Sequence, residues 1–158
     1  MIKDSYTLTA SEALAAIASG RLSSVKLVKS CLARIAETDG TIKAWAFLDE
    51  GAALAQAAEC DRIRIAGLAT GPLHGIPVAL KDIIDTADMP TEYGTPIHKG
   101  HRPRIDAAVV TSDERDWRLI ELASASAARR QRWLDGRARD PRRGQQAVLG
   151  RLGDQRLL

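Results

Sequence analysis

Apolar positions recur at helical spacing through the first third of the chain, and the period then changes. Thr9-Ala10-Ser11-Glu12 has the spacing of a capping box, so a first helix is expected to start at Thr9. Leu14, Ile17 and Ala18 would line its inner face, and Gly20 suits the left-handed stop. A second helix starts at Ser23 or Ser24, with Val25, Val28, Leu32 and Ile35 in one stripe and Lys26, Lys29 and Arg34 mostly off it. Thr38-Asp39-Gly40 is expected to end it. Ile42 to Leu48 reads as a short strand, with Trp45 and Phe47 two apart on a shared core-facing side. Ala52 to Ile65 is rich in alanine and other helix formers, a third helix, and Gly67 to Gly71 is a loop. Ile76 to Leu80 is an apolar run between Gly75 and Lys81, a buried strand whose start is made irregular by Pro77. Asp85 to His101 concentrates Pro, Gly, Thr and His, an ordered long loop of the kind that often carries function. No internal repeat is visible.

The totals add few constraints. With 158 residues, 45% hydrophobic and 27% charged, the chain has a globular balance and the length of one domain. No apolar run reaches the roughly 18 residues of a membrane span. The opening MIKDSYTLTASEAL has no apolar signal core, so a cytoplasmic protein is expected. Cys31 and Cys60 have neither metal-type nor redox spacing and read as reduced thiols on helix faces. Charge is uneven. Residues 1–110 hold six Arg, six Lys and thirteen acids, a net of −1, whereas residues 111–158 hold eleven Arg, no Lys and seven acids, a net of +4. The basic character therefore belongs to the tail.

The segment Gly71 to Thr86, GPLHGIPVALKDIIDT, carries the chemistry. It delivers one lysine, Lys81, to the end of a strand. Burial there would disfavour the ammonium form and free an amine to act as a base. The plainer alternative pairs Lys81 with Asp82 or Asp85 and leaves it charged and structural. The wording of the segment resembles the lysine-containing segment of the amidase-signature family, which includes general amidases and the A subunit of the glutamyl-tRNA amidotransferase. The resemblance covers residues 7 to about 110, from LTASEALAAIASGRLSSVKLVKSCLARI to DMPTEYGTPIHKGHRPRIDAAVV, with Thr95 where serine is usual. It implies an α/β fold with a mixed sheet flanked by helices, of which this chain holds the N-terminal portion. It implies Lys81 as the base of a Ser–cis-Ser–Lys triad acting on a small carboxamide, without cofactor or metal. Tyr93, Gly94 and Thr95 would lie near the substrate cleft, and Gly75 and Pro77 would shape the strand entry.

The two serines of that triad belong to a Gly-Gly-Ser-Ser-Gly type of loop, and residues 82–158 contain none. Ser124 and Ser126 have no glycine beside them and cannot build the tight donor-lined turn a nucleophile needs. After Val110 the family wording stops. A domain of residues 1–110 followed by an Arg-rich, poorly ordered tail of residues 111–158, produced by a frameshift in a GC-rich gene, is the expectation. The expected product is an inactive fragment with an exposed sheet edge. The rivals are a non-catalytic binding module and an A-subunit-like component of a tRNA-dependent amidotransferase. An arginine-rich nucleic-acid arm is set aside, because the tail's Arg are scattered among acids and its aromatics are Trp117 and Trp133 alone, although Leu119, Leu122 and Ser126 have helical spacing. His74 reads as a structural contact. His98 and His101 lack a third ligand for a metal. Oligomeric state is not fixed by the sequence.

Overall fold

The computed structural model describes residues 4–111 and the backbone of residues 120–124. Three helices, α1 (Ala10–Ala18), α2 (Ser24–Ile42) and α3 (Glu50–Ile65), precede strand β1 (Pro77–Lys81), which pairs in parallel with β2 (Ile120–Ser124). Each helix begins at a side-chain cap. The Thr9 hydroxyl accepts the Glu12 N–H at 3.3 Å while a Glu12 carboxylate oxygen takes the Thr9 N–H at 2.8 Å, so the expected capping box is formed. Ser23 caps α2 and Asp49 caps α3 in the same way, each satisfying one otherwise free N–H.

Helix α2 is wedged between the other two and is apolar on two sides. Val28 and Leu32 pack with Ala53, Ala57 and Cys60 of α3, with Val25 and Ile35 extending the expected stripe. Leu27 and Cys31 face α1, where they join Ala13, Ala16, Ile17, Leu22 and Ile76. The inner face of α1 is thus Ala13, Ala16 and Ile17, and Ala18 is exposed. Alanines at these contacts let the helices approach closely.

Two expectations are corrected here. Helix α2 does not end at Gly40; it continues to Ile42, and Lys43 closes it in the left-handed region at φ 51°. Asp39 explains the overrun. Its carbonyl accepts the Lys43 N–H at 2.8 Å and its carboxylate accepts the Ala44 N–H at 2.6 Å, so a cap is available one turn later than the glycine suggests. Residues 43–49 then form an irregular connection, not a strand. Without a ladder partner, Trp45 and Phe47 part company. Trp45 and Leu48 pack on the α2–α3 cluster, whereas Phe47 borders the end of β1 and lies 5.9 Å under the Arg102 guanidinium.

Buried polar groups lock the helices to the strand. The Asp61 carboxylate, on α3, accepts the N–H groups of Ser24 and Val25 at 2.8 and 3.1 Å, closing the start of α2. Gly75, at φ +76°, passes so close to Ser24 that a β-carbon there would lie 2.1 Å from the Ser24 hydroxyl oxygen. Only glycine fits that contact and that backbone angle. His74 beside it is buried, and its Nε2 lies 2.9 Å from the Cys60 carbonyl oxygen.

Strand β1 is less buried than its apolar wording suggests. Ala79 and Lys81 are exposed, and Pro77, Val78 and Leu80 are half-buried. Among the described residues its one ladder partner is β2, with Pro77 opposite Ile120 and Lys81 opposite Ser124. Residues 120–124 are therefore a strand, where the spacing of Leu119, Leu122 and Ser126 reads as a helix. Leu119 and Ser126, like most of the 111–158 segment, lie outside the described residues.

Candidate active site

Lys81 is the last residue of β1, and its side chain is exposed. The strand stops there because the chain turns sharply: the Lys81 carbonyl accepts the N–H groups of Ile83 and Ile84 at 2.6 and 2.9 Å. Among the described residues Lys81 forms no ion pair. The neighbouring acids are engaged elsewhere. Asp82 is buried and accepts the Glu92 and Gly94 N–H groups at 2.7 and 3.0 Å. Asp85 accepts the Tyr93 hydroxyl at 2.5 Å. The two carboxylates thus pin the 92–95 turn beside Lys81, and neither pairs with its amine.

That turn is tightly wound. Tyr93 sits at φ 53° and Gly94 at φ 67°, two consecutive left-handed residues, and the Thr95 N–H returns to the Glu92 carbonyl at 3.0 Å. A tyrosine in this region is strained and is held by its surroundings. Asp82 supplies the backbone restraint and Asp85 the side-chain restraint. The Thr95 hydroxyl accepts the Ile97 N–H at 3.3 Å and so caps the short helical turn Pro96–His98. The Tyr93 ring meets His98 edge-on at 5.1 Å and stacks with His101 at 6.0 Å between centroids. The Tyr93 phenol is pushed above its ordinary range, first by its hydrogen bond to Asp85 and then by desolvation and by the charges of Asp85 and Asp82.

The long loop is ordered by its own bonds. Ala87 N–H reaches the Asp106 carboxylate at 2.7 Å, Ala107 N–H the Asp85 carbonyl at 2.8 Å, and Gly100 N–H the Glu92 carboxylate at 2.7 Å. Thr91, fully buried, gives its N–H to the His101 carbonyl at 3.0 Å. The Tyr93-Gly94-Thr95 turn singled out from the sequence is therefore tied to the residues flanking Lys81. A small hollow under the site is lined by Phe47, Leu80, Lys81, Asp82, Met89 and Thr91, among others. The roles of Asp82 and Asp61 are not legible in the sequence, where Asp82 reads only as a partner for Lys81 and Asp61 does not stand out. An acid directly after the lysine, ten residues before a Tyr-Gly turn, is the signal that marks the first; nothing local marks the second.

Residues 26–112 match the model of the family described as Amidase. The chain belongs to the amidase family. The A subunit of the glutamyl-tRNA(Gln) amidotransferase of Chloroflexus aurantiacus is 46% identical over 105 residues, which cover 66% of this chain and 22% of that protein. Among solved structures, the peptide amidase of Stenotrophomonas maltophilia superposes with a TM-score of 0.68 at 38% identity, over 75% of this chain and 24% of that one. Fatty acid amide hydrolase superposes with a TM-score of 0.66 at 26% identity, over 78% of this chain and 22% of that one. The chain has the amidase-signature fold over the matched part and spans under a quarter of the length of these three relatives. No helix among the described residues is long and apolar enough to cross a membrane.

Proposed function

We propose that this chain carries the base-bearing segment of an amidase that hydrolyses carboxamide C–N bonds, and that alone it turns over no amide. The observation that carries the reading is Lys81 at the end of β1, paired with neither neighbouring acid, in a chain of the amidase family. In a Ser–cis-Ser–Lys triad the Lys81 amine takes a proton from the cis-serine, which takes one from the nucleophilic serine as it attacks the carboxamide carbon. The proton returns along the relay to the leaving nitrogen, ammonia or an amine departs, and water then attacks the acyl group and frees the serine. Backbone N–H donors stabilise the oxyanion. Tyr93, Gly94 and Thr95 border the substrate.

Inactivity follows from the serines. The register partner of Lys81 is Ser124, flanked by Ala123 and Ala125 and without the glycines that shape an oxyanion-binding turn. A base without a relay has no proton to move. The match to the amidotransferase's A subunit, 46% identical over 105 residues, supports an origin in that branch.

The test has two arms. The purified chain should release no ammonia from simple amides. Residues 1–110 grafted in place of the matching part of the Chloroflexus relative should support amide hydrolysis in the chimera, and Lys81→Ala should lower its kcat by about a hundredfold to ten-thousandfold, the range for loss of a general base. Turnover by the chain alone would overturn inactivity. A chimera indifferent to Lys81→Ala would overturn the assignment of the base.

A further inference from the structure

A second hollow, of about 460 Å³, opens between α1 and the connection from α3 to β1. It shares no lining residue with the hollow at Lys81. Its walls include Leu14, Ile17, Leu68 and Pro72, with Arg64, Thr70 and His74 as polar members and no acidic residue. Its size lies in the range of small-ligand sites.

Arg64 sets the chemistry. Its side chain is 24% exposed, and its Nε is buried with no hydrogen-bond partner among the described residues. Its one ion partner there, Asp61, stands 4.0 Å away. Both Asp61 oxygens are already committed, Oδ1 to the Ser24 N–H and Oδ2 to the Val25 N–H. His74 is turned through Nε2 to the Cys60 carbonyl, and its buried Nδ1 has no hydrogen-bond partner among the described residues. A buried guanidinium N–H without an acceptor among the described residues is costly, and the planar fork of the group suits a carboxylate. The apolar walls would stay wet around a bare inorganic ion but are covered by an aliphatic stem.

We propose that this hollow binds a carboxylate carried on an apolar stem, with Arg64 holding the carboxylate and Leu14, Ile17, Leu68 and Pro72 holding the stem. The site is separate from the lysine chemistry and stands whether or not Lys81 is a base.

The full chain is titrated by calorimetry with hexanoate, with hexanamide as the uncharged analogue, with acetate as the stemless one, and with N-acetyl-leucyl-leucine as a peptide carboxyl terminus. Hexanoate or the peptide should saturate, and hexanamide and acetate should bind about tenfold more weakly or less. The tighter of the two tells a free acid from a peptide terminus. Arg64→Gln should weaken the carboxylates about tenfold and leave hexanamide unchanged, with circular dichroism checking the fold. If that variant unfolds, Ala18→Trp, at an exposed position on the rim, should abolish binding with Arg64 intact. Equal affinity for hexanoate and hexanamide, no saturable binding of either carboxylate, or carboxylate binding that survives these changes overturns the proposal.

Discussion

Asp82 does more for the site than its neighbour Lys81 does for the fold. Its buried carboxylate accepts two backbone N–H groups from the turn that carries Tyr93. Stranding a partly buried N–H costs about 1–2 kcal/mol, so Asp82→Ala, which strands two, should cost about 2–4 kcal/mol in denaturant unfolding. Lys81→Ala, at an exposed side chain, should leave stability within about 0.5 kcal/mol. Gly75→Ala should be as harmful as the loss of Asp82, about 2–4 kcal/mol, because it combines a left-handed backbone angle with a 2.1 Å approach to Ser24. The Tyr93 phenol has its own pH signature. The fold favours its neutral form, so this contribution is present below the ordinary tyrosine range and is lost as pH rises through the elevated folded value. In a tyrosinate absorbance titration, Tyr93→Phe should remove a step lying above the free-tyrosine midpoint. Of these features the sequence displayed Lys81 and the Tyr93-Gly94-Thr95 turn, because both sit in a long ordered wording. It did not display what ties them, because a side chain bonding to backbone ten residues away leaves no period and no motif.

At the scale of elements, caps were the legible part. Thr9 with Glu12, the serine before α2 and the apolar stripe of α2 each act within one or two turns, and each is present in the fold. The segment from Thr38 to Leu48 was misread because tertiary packing outweighs local preference there. Gly40 costs a helix interior about 1 kcal/mol relative to Ala, and the two bonds made by Asp39 offset it. The Trp45–Leu48 stretch has strand-forming residues but no neighbouring strand among the described residues, and Trp45 and Leu48 turn to the α2–α3 cluster instead. Asp61 is the most consequential joint between elements. Asp61→Ala would strip the start of α2 of its cap from α3 and leave the Arg64 guanidinium without its nearest acid. A loss of about 2–4 kcal/mol is expected in thermal or urea unfolding, with Asp61→Asn in between.

At the scale of the molecule, the helices are better secured than the strand. Val28, Ala53 and Ala57 are fully buried, whereas β1 has an exposed Ala79 and one ladder partner among the described residues. Native-state hydrogen exchange should therefore protect the α2 and α3 interior amides by at least about tenfold more than those of Val78 to Leu80. Uniform protection across both would show β1 to be as firmly held as the core. The family model ends at residue 112, close to the point where the Lys and Arg usage changes. We propose a reading-frame change near codon 110 as its cause. One of the other two frames past that codon should then encode a Gly- and Ser-rich amidase segment, and its absence from both would dispose of the idea.

The Asp82 clamp also bears on how such a segment changes over time. It grips the turn by main-chain N–H groups and is blind to the side chains at positions 92 and 95. The side chains of this turn can therefore change while its shape is kept by a residue outside it. Change at this turn lies in its side chains, and constancy lies in the main-chain N–H groups that Asp82 holds.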